Sequence, residues 1–281
     1  MSAEALALVL LAAGVHAAWN AMAKRAEDQL AFLWSSVSLA TLVFLPWGLR
    51  LLPAGGVPAA AWPFIVATIV IHAVYFYALS RAYTVGDYSL VYPVARGLGV
   101  AVVPVLGVVA LGEDLSLLGG AGIALVVAGI AAASGAGRPG ARARAGLGWA
   151  VATGLTIATY SVVDKAGVAR LHPLPYLGLL GVGMSLCLLP ALLARPGALR
   201  REWRVNARSI LAASMLNLTS YLLVLFAFRL SKASYVVAAR ELSIVLSVVI
   251  GRLWLGETGW RARLPGAALI VAGVVCVAVA R

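Results

Sequence analysis

The chain is 281 residues long, 63% hydrophobic and only 11% charged, with a mean hydropathy of +0.98. A soluble domain averages about 45–50% apolar and about 25% charged, so the composition excludes a water-soluble enzyme and leaves room for roughly ten spans of about 20 residues. The net charge of +12 lies on basic residues between apolar runs, where it sets orientation in the bilayer; without an aromatic-interleaved basic patch or zinc spacing, no nucleic acid and no metal are expected.

Apolar runs set against charged or Gly/Pro punctuation predict spans near 4–23, 30–51, 60–81, 88–111, 116–134, 147–168, 173–194, 208–230, 233–255 and 261–280. The amino terminus lacks the basic region of a secretory signal, so the first run reads as a retained helix. Cys187 and Cys276 lie within apolar runs and read as packing residues. Two connections are too polar for hydrocarbon: a basic linker over 135–146 and the arginine-rich stretch from Arg195 to Arg208. The linker divides the chain into units 1–134 and 147–281, each of five spans.

Ionisable groups inside spans cost about 2.5–3.5 kcal/mol each on insertion scales, so those present are weighed as functional candidates. In the first span His16, Asn20 and Lys24 recur every four residues with Trp19 alongside, and the third carries His72 and Tyr75. Either histidine is a candidate for a coupling proton, or else a hydrogen-bonded packing residue. In the fourth span Tyr88, Tyr92 and Arg96 share a helix face. The sixth has a stripe of Thr153, Thr156, Tyr160 and Asp164; Asp164, beside Lys165 at the helix end, reads first as interfacial and second as pathway lining or proton coupling. Asn217 and Tyr221 share a face in the eighth span, where Asn217 serves equally as glue between helices. In the ninth, Arg240 lies in line with Ser243 and Ser247 and next to Glu241. Arg96 and Arg240 together would hold an anion through forked hydrogen bonds. The competing reading has them snorkelling to the interface or pairing with Glu241 or Asp87.

The chain is internally duplicated. Placing Gly112-Glu113 over Gly256-Glu257 sets an offset of 144, and residues 111–129 then match 255–273 at nine of 19 positions. The same offset pairs Arg96 with Arg240 and Tyr77 with Tyr221. Five spans per unit is an odd number, so the second copy starts on the opposite side of the membrane and the copies are inverted. Such repeats place a solute site between them near the midplane. The glycines Gly119, Gly120, Gly122, Gly129, Gly266 and Gly273 read as close helix packing, since no Gly-rich loop precedes a Lys-Ser/Thr pair.

Leu111-Gly112-Glu113 with Gly122 to Gly129, and Leu255-Gly256-Glu257 with Gly266 to Gly273, resemble the EamA-type module of the drug/metabolite transporter superfamily. The resemblance implies an all-α membrane protein of ten transmembrane helices in two inverted repeats, with a central cavity that carries small metabolites, often outward. It also implies cytoplasmic termini, whereas Lys and Arg collect in the odd-numbered connections and put the termini outside. The small multidrug carriers of that superfamily use a central carboxylate in the first helix; here only Glu4 occurs, near the helix end. Glu113 and Glu257 read as helix caps or loop anchors.

The expected function is a secondary carrier, an exporter of an amino acid or related organic anion, in a bacterial inner membrane. Its partners would be the solute, membrane lipid and a coupling proton, with no cofactor, as a monomer or homodimer. The alternative on the same helices is a flippase for a lipid-linked sugar or phospholipid. Catalysis is not expected, because the spans hold no paired carboxylates, metal-spaced histidines or Ser-His couple.

Overall fold

The computed structural model describes residues 1–23, 25–85, 88–133, 141–246 and 260–280. Lys24, Asp87, Ser247, Leu255, Gly256 and Glu257 lie outside them, as do the side chains of Asn20, Tyr88 and Tyr92. The described residues form ten α-helices and one 3-10 turn. In chain order these are α1 (Ala3–Ala23), α2 (Gln29–Arg50), α3 (Trp62–Val85), α4 (Tyr88–Leu111), α5 (Leu117–Ala133), α6 (Ala141–Val168), α7 (Pro173–Leu193), α8 (Ala198–Leu230), α9 (Ala233–Arg240) and α10 (Trp260–Val279). Seven helical segments are long and apolar enough to cross a membrane, and α1 and α5 add shorter apolar stretches.

Local chemistry sets the ends. Asp28 caps α2 by accepting the Ala31 N–H at 2.9 Å. Pro173, pre-set for a helical first turn, opens α7 behind His172. Gly112, at φ +63°, closes α4 with its N–H on the Val108 carbonyl at 3.2 Å, a left-handed cap that glycine adopts without Cβ strain.

Three boundaries differ from the sequence reading. Helix α6 begins at Ala141, inside the stretch expected as linker, and α8 begins at Ala198, ten residues before the expected span. Arginine and alanine are strong helix formers; polarity keeps such segments out of hydrocarbon without keeping them out of a helix. The added start of α8 is anchored by buried Glu202, which accepts the Asp28 N–H at 2.8 Å and the Asn206 side-chain amide at 2.7 Å. At Asn206 the backbone leaves helical geometry (φ −116°, ψ 19°). The third difference is in the ninth span, where α9 stops at Arg240. There the Glu241 N–H reaches Ala238 O at 3.2 Å and the Ile244 N–H reaches Glu241 O at 2.9 Å, the tighter i to i−3 spacing, before helix resumes over 242–246.

Duplication is visible in the helices themselves. Adding 144 to the starts of α1 to α5 gives 147, 173, 206, 232 and 261. The first lies within α6, the second is the start of α7, the last two fall within one residue of the starts of α9 and α10, and 206 is the kink in α8. Helix α8 is therefore a copy of α3 with an amino-terminal extension. Packing follows the same symmetry: α3 lies on α6 while its copy α8 lies on α1, and α2 lies on its own copy α7. Trp34 Nε1 ties that last pair to Ser185 O at 2.9 Å.

Helices α5 and α10 approach to backbone contact. A Cβ on Gly122 would stand 2.7 Å from the Gly273 carbonyl oxygen, and one on Gly129 2.7 Å from that of Gly266. One helix runs forward as the other runs back, so the pair is antiparallel. Gly122 and Gly266 are equivalent positions, as are Gly129 and Gly273, and each glycine meets the other's equivalent, the reciprocity that a two-fold axis requires. A two-fold relating antiparallel spans lies in the membrane plane, so the two five-helix units are inverted copies.

Replacing Gly122 by Val is expected to cost about 1–3 kcal/mol through overpacking. Gly120→Val, where an added Cβ meets nothing within 4 Å, should stay within about 0.5 kcal/mol of wild type. Thermal melting of the two variants in detergent tests the contact; equal melting would refute it.

Candidate functional site

A cavity lies between the repeats. Its walls include His16 and Trp19 of α1, Val37 of α2 and His72, Tyr75 and Phe76 of α3 from the first repeat. The second repeat contributes Tyr160 of α6, a wall of Leu177, Leu180, Gly181 and Met184 on α7, Asn217, Leu218, Ser220 and Tyr221 of α8, and Arg240 of α9. Three lining pairs are separated by 144 positions: His16 with Tyr160, Val37 with Gly181, and Phe76 with Ser220. The cavity thus straddles the two-fold axis. Its volume of about 60 Å³, counted as space for the centres of water-sized molecules, holds roughly four to six waters at about 10–15 Å³ each on that measure.

Its polar groups fall into two layers. The first faces the cavity. Arg240, 3% exposed, donates from Nη2 to the Tyr160 hydroxyl at 3.3 Å. No carboxylate stands within ion-pairing distance of its guanidinium among the described residues. Arg240 Nε, Trp19 Nε1 and Asn217 Nδ2 are buried donors without an acceptor among the described residues. Leaving a buried donor unmatched costs about 1–3 kcal/mol, and all three belong to residues of the cavity wall. His72 stacks on Tyr160 with ring centroids 4.3 Å apart, and His16 meets Trp19 edge-on at 5.0 Å.

The second layer stands behind. Asp164 is fully buried. Its Oδ1 accepts from Thr68 Oγ1 at 2.5 Å and from the Tyr176 hydroxyl at 2.8 Å, and its Oδ2 accepts from the Tyr221 hydroxyl. His72 Nε2 lies 3.9 Å from Oδ2. The interfacial reading of Asp164 is therefore corrected: three hydroxyl donors from α3, α7 and α8 draw its carboxylate inward. Neighbouring Lys165 points elsewhere, donating to the Phe228 and Ser231 carbonyls at the end of α8, where a cation suits the helix dipole.

Arg96 and Glu241 form an ion pair, with Nε donating to Oε2 at 2.9 Å and Nη2 standing 2.6 Å from Oε1. Both are buried, and neither is part of the cavity wall. Of the two arginines proposed to hold an anion together, only Arg240 faces the cavity; Arg96 is held across the repeat boundary by the carboxylate next to Arg240. Glu113 serves as a cap. Its carboxylate accepts the Ala233 N–H, the Ser234 N–H at 3.2 Å and the Ser234 hydroxyl at 2.6 Å, so the Leu-Gly-Glu signature closes α4 and clamps the start of α9.

Sequence reasoning brought His16, Trp19, His72, Tyr160, Asn217, Tyr221 and Arg240 to the cavity. It missed Thr68 and Tyr176, which complete the Asp164 cluster, and the apolar wall of α7. Tyr176 stands alone among apolar residues, with no polar stripe to flag it; Thr68 lies one turn before His72, a spacing that could have been read.

Comparison with known proteins agrees with this architecture. Residues 144–279 match the EamA-like transporter family, and residues 34–126 match the Small Multidrug Resistance protein family. An uncharacterized transporter in the cobO 3′ region of Sinorhizobium sp is 29% identical over 134 residues, 47% of this chain and 94% of that protein, so the relative is about as long as one repeat. A solved protein crystal structure shares the fold with a TM-score of 0.77 at 18% identity, over 98% of this chain and 95% of that one.

Arg96→Met alone leaves the Glu241 carboxylate buried without its cation, at an expected cost of about 3–5 kcal/mol. The double variant Arg96→Met/Glu241→Leu should recover most of that loss. Denaturant unfolding of the singles and the double in detergent measures the coupling, and purely additive losses would refute the pairing.

Proposed function

Because the chain belongs to the drug/metabolite transporter superfamily, with an EamA-like transporter second half, we propose that it is a bacterial inner-membrane carrier exporting a small polar metabolite, an amino acid or related organic anion. The observation that carries this reading is the Arg240 guanidinium, buried beside a cavity on the repeat axis with no carboxylate partner among the described residues. A buried charge without a counter-ion is costly, and a solute carboxylate there would offset the cost. Trp19 Nε1 and Asn217 Nδ2 would supply further donors to the same group. The apolar wall of Leu177, Leu180 and Met184 would take the solute's hydrocarbon part.

Alternating access follows from the inverted repeats: rocking one unit against the other about a site on their shared axis would open it to each side in turn. The small cavity supports a solute carrier over a flippase, whose lipid-linked substrate needs a lateral opening wide enough for a headgroup.

Counterflow of labelled amino acids and small carboxylates in proteoliposomes tests the proposal. Arg240→Gln, at matched reconstitution, should lower carboxylate flux at least about tenfold, the equivalent of losing a charged hydrogen bond worth roughly 1.5 kcal/mol or more. Unchanged flux would remove Arg240 from the site.

A further inference from the structure

We propose that His72 takes up one proton at Nε2 when an anionic solute engages Arg240, so that solute and proton cross the membrane as a neutral pair. The inference rests on the solute site proposed above and adds its coupling ion. It begins with the buried charges around the cavity. Arg96 and Glu241 neutralise each other. The remaining pair, cationic Arg240 and anionic Asp164, is separated by the aromatic layer of Tyr160, His72 and Tyr221 and also sums to zero when His72 is neutral. An arriving carboxylate would satisfy Arg240 and leave Asp164 as uncompensated negative charge in a low-dielectric interior.

The hydrogen bonds around His72 show where a compensating proton would go. Its Nδ1 lies 3.0 Å from both the carbonyl oxygen and the hydroxyl of Thr68. The carbonyl only accepts, and the hydroxyl spends its proton on Asp164, so Nδ1 carries the ring hydrogen. In the neutral ring Nε2 is then a bare acceptor, 3.9 Å from Asp164 Oδ2. Protonation there creates an imidazolium against a carboxylate.

The ring's other neighbours are consistent with that role. Its own helix presents Tyr75, α6 presents Asp164 and Tyr160, α8 presents Tyr221, and Tyr176 of α7 lies across Asp164. Arg240 of α9 is linked to the ring through Tyr160, which stacks on His72 and accepts from Nη2 of the guanidinium. His16 lines the same cavity, on α1.

Titration calorimetry of the full chain in detergent, with butanoate and its uncharged counterpart butanamide as probes, tests this in two buffers of different ionisation enthalpy. Butanoate should bind in preference to butanamide with about one proton taken up per molecule, and its affinity should fall about tenfold per pH unit on the alkaline side, because binding consumes a proton. His72→Gln should still bind butanoate with heat independent of the buffer. Butanoate binding to the wild type without proton uptake would overturn the coupling and leave the solute site standing; this comparison needs no variant. An unchanged proton count in His72→Gln would overturn the assignment to His72. Failure of butanoate to bind at all would overturn the solute site and the coupling together.

Discussion

Charge neutrality in hydrocarbon is the constraint that orders this molecule. Arg96, Arg240, Asp164 and Glu241 are all buried, and in a medium that cannot solvate them each needs a partner or strong hydrogen bonds. Their partners come from other helices, and two of the contacts, Arg96 with Glu241 and Asp164 with Thr68, cross between the repeats. Arg96 of α4 is met by Glu241 just beyond α9, and Asp164 of α6 by Thr68 of α3, Tyr176 of α7 and Tyr221 of α8. The polar groups that are expensive to bury thereby bind the two repeats together around the cavity.

Symmetry provides the frame, and departures from it provide the chemistry. Reciprocal glycine contacts between α5 and α10 place the two-fold axis, and equivalent residues then face each other across the cavity. His16 and its equivalent Tyr160 both line it, whereas the equivalent of Tyr221, Tyr77, turns away to lie against Trp149 with 38% of its surface exposed. One ancestral position has thus become a cavity wall in one copy and an outer surface in the other. Arg96 and Arg240 diverge in the same way, one held by a carboxylate and one lining the cavity.

The fold was legible because its signals are long. Ten runs of some 20 apolar residues, five of them related to the other five by a fixed offset of 144, survive errors of several residues at each end. The misplaced boundaries at Ala141 and Ala198 arose where helix propensity and hydropathy disagree, since arginine favours a helix and resists hydrocarbon. The site was legible only in part. Polar stripes located His16, His72, Tyr160, Asn217, Tyr221 and Arg240, because a polar group inside a span is rare enough to stand out. Whether Arg96 faced solute or salt bridge depended on Glu241, distant in sequence and reachable only through the fold, and the apolar wall of α7 looked identical to a lipid-facing surface.

The interruption after Arg240 has a counterpart that is whole: α4, the equivalent of the ninth span, runs unbroken from Tyr88 to Leu111. Two identical halves would make the inward-open and outward-open forms of such a carrier equal in energy and related by the two-fold rotation. If the repeats rock as proposed, one stiff and one interrupted helix would lift that degeneracy, and the empty protein would rest in one of its two forms more often than the other.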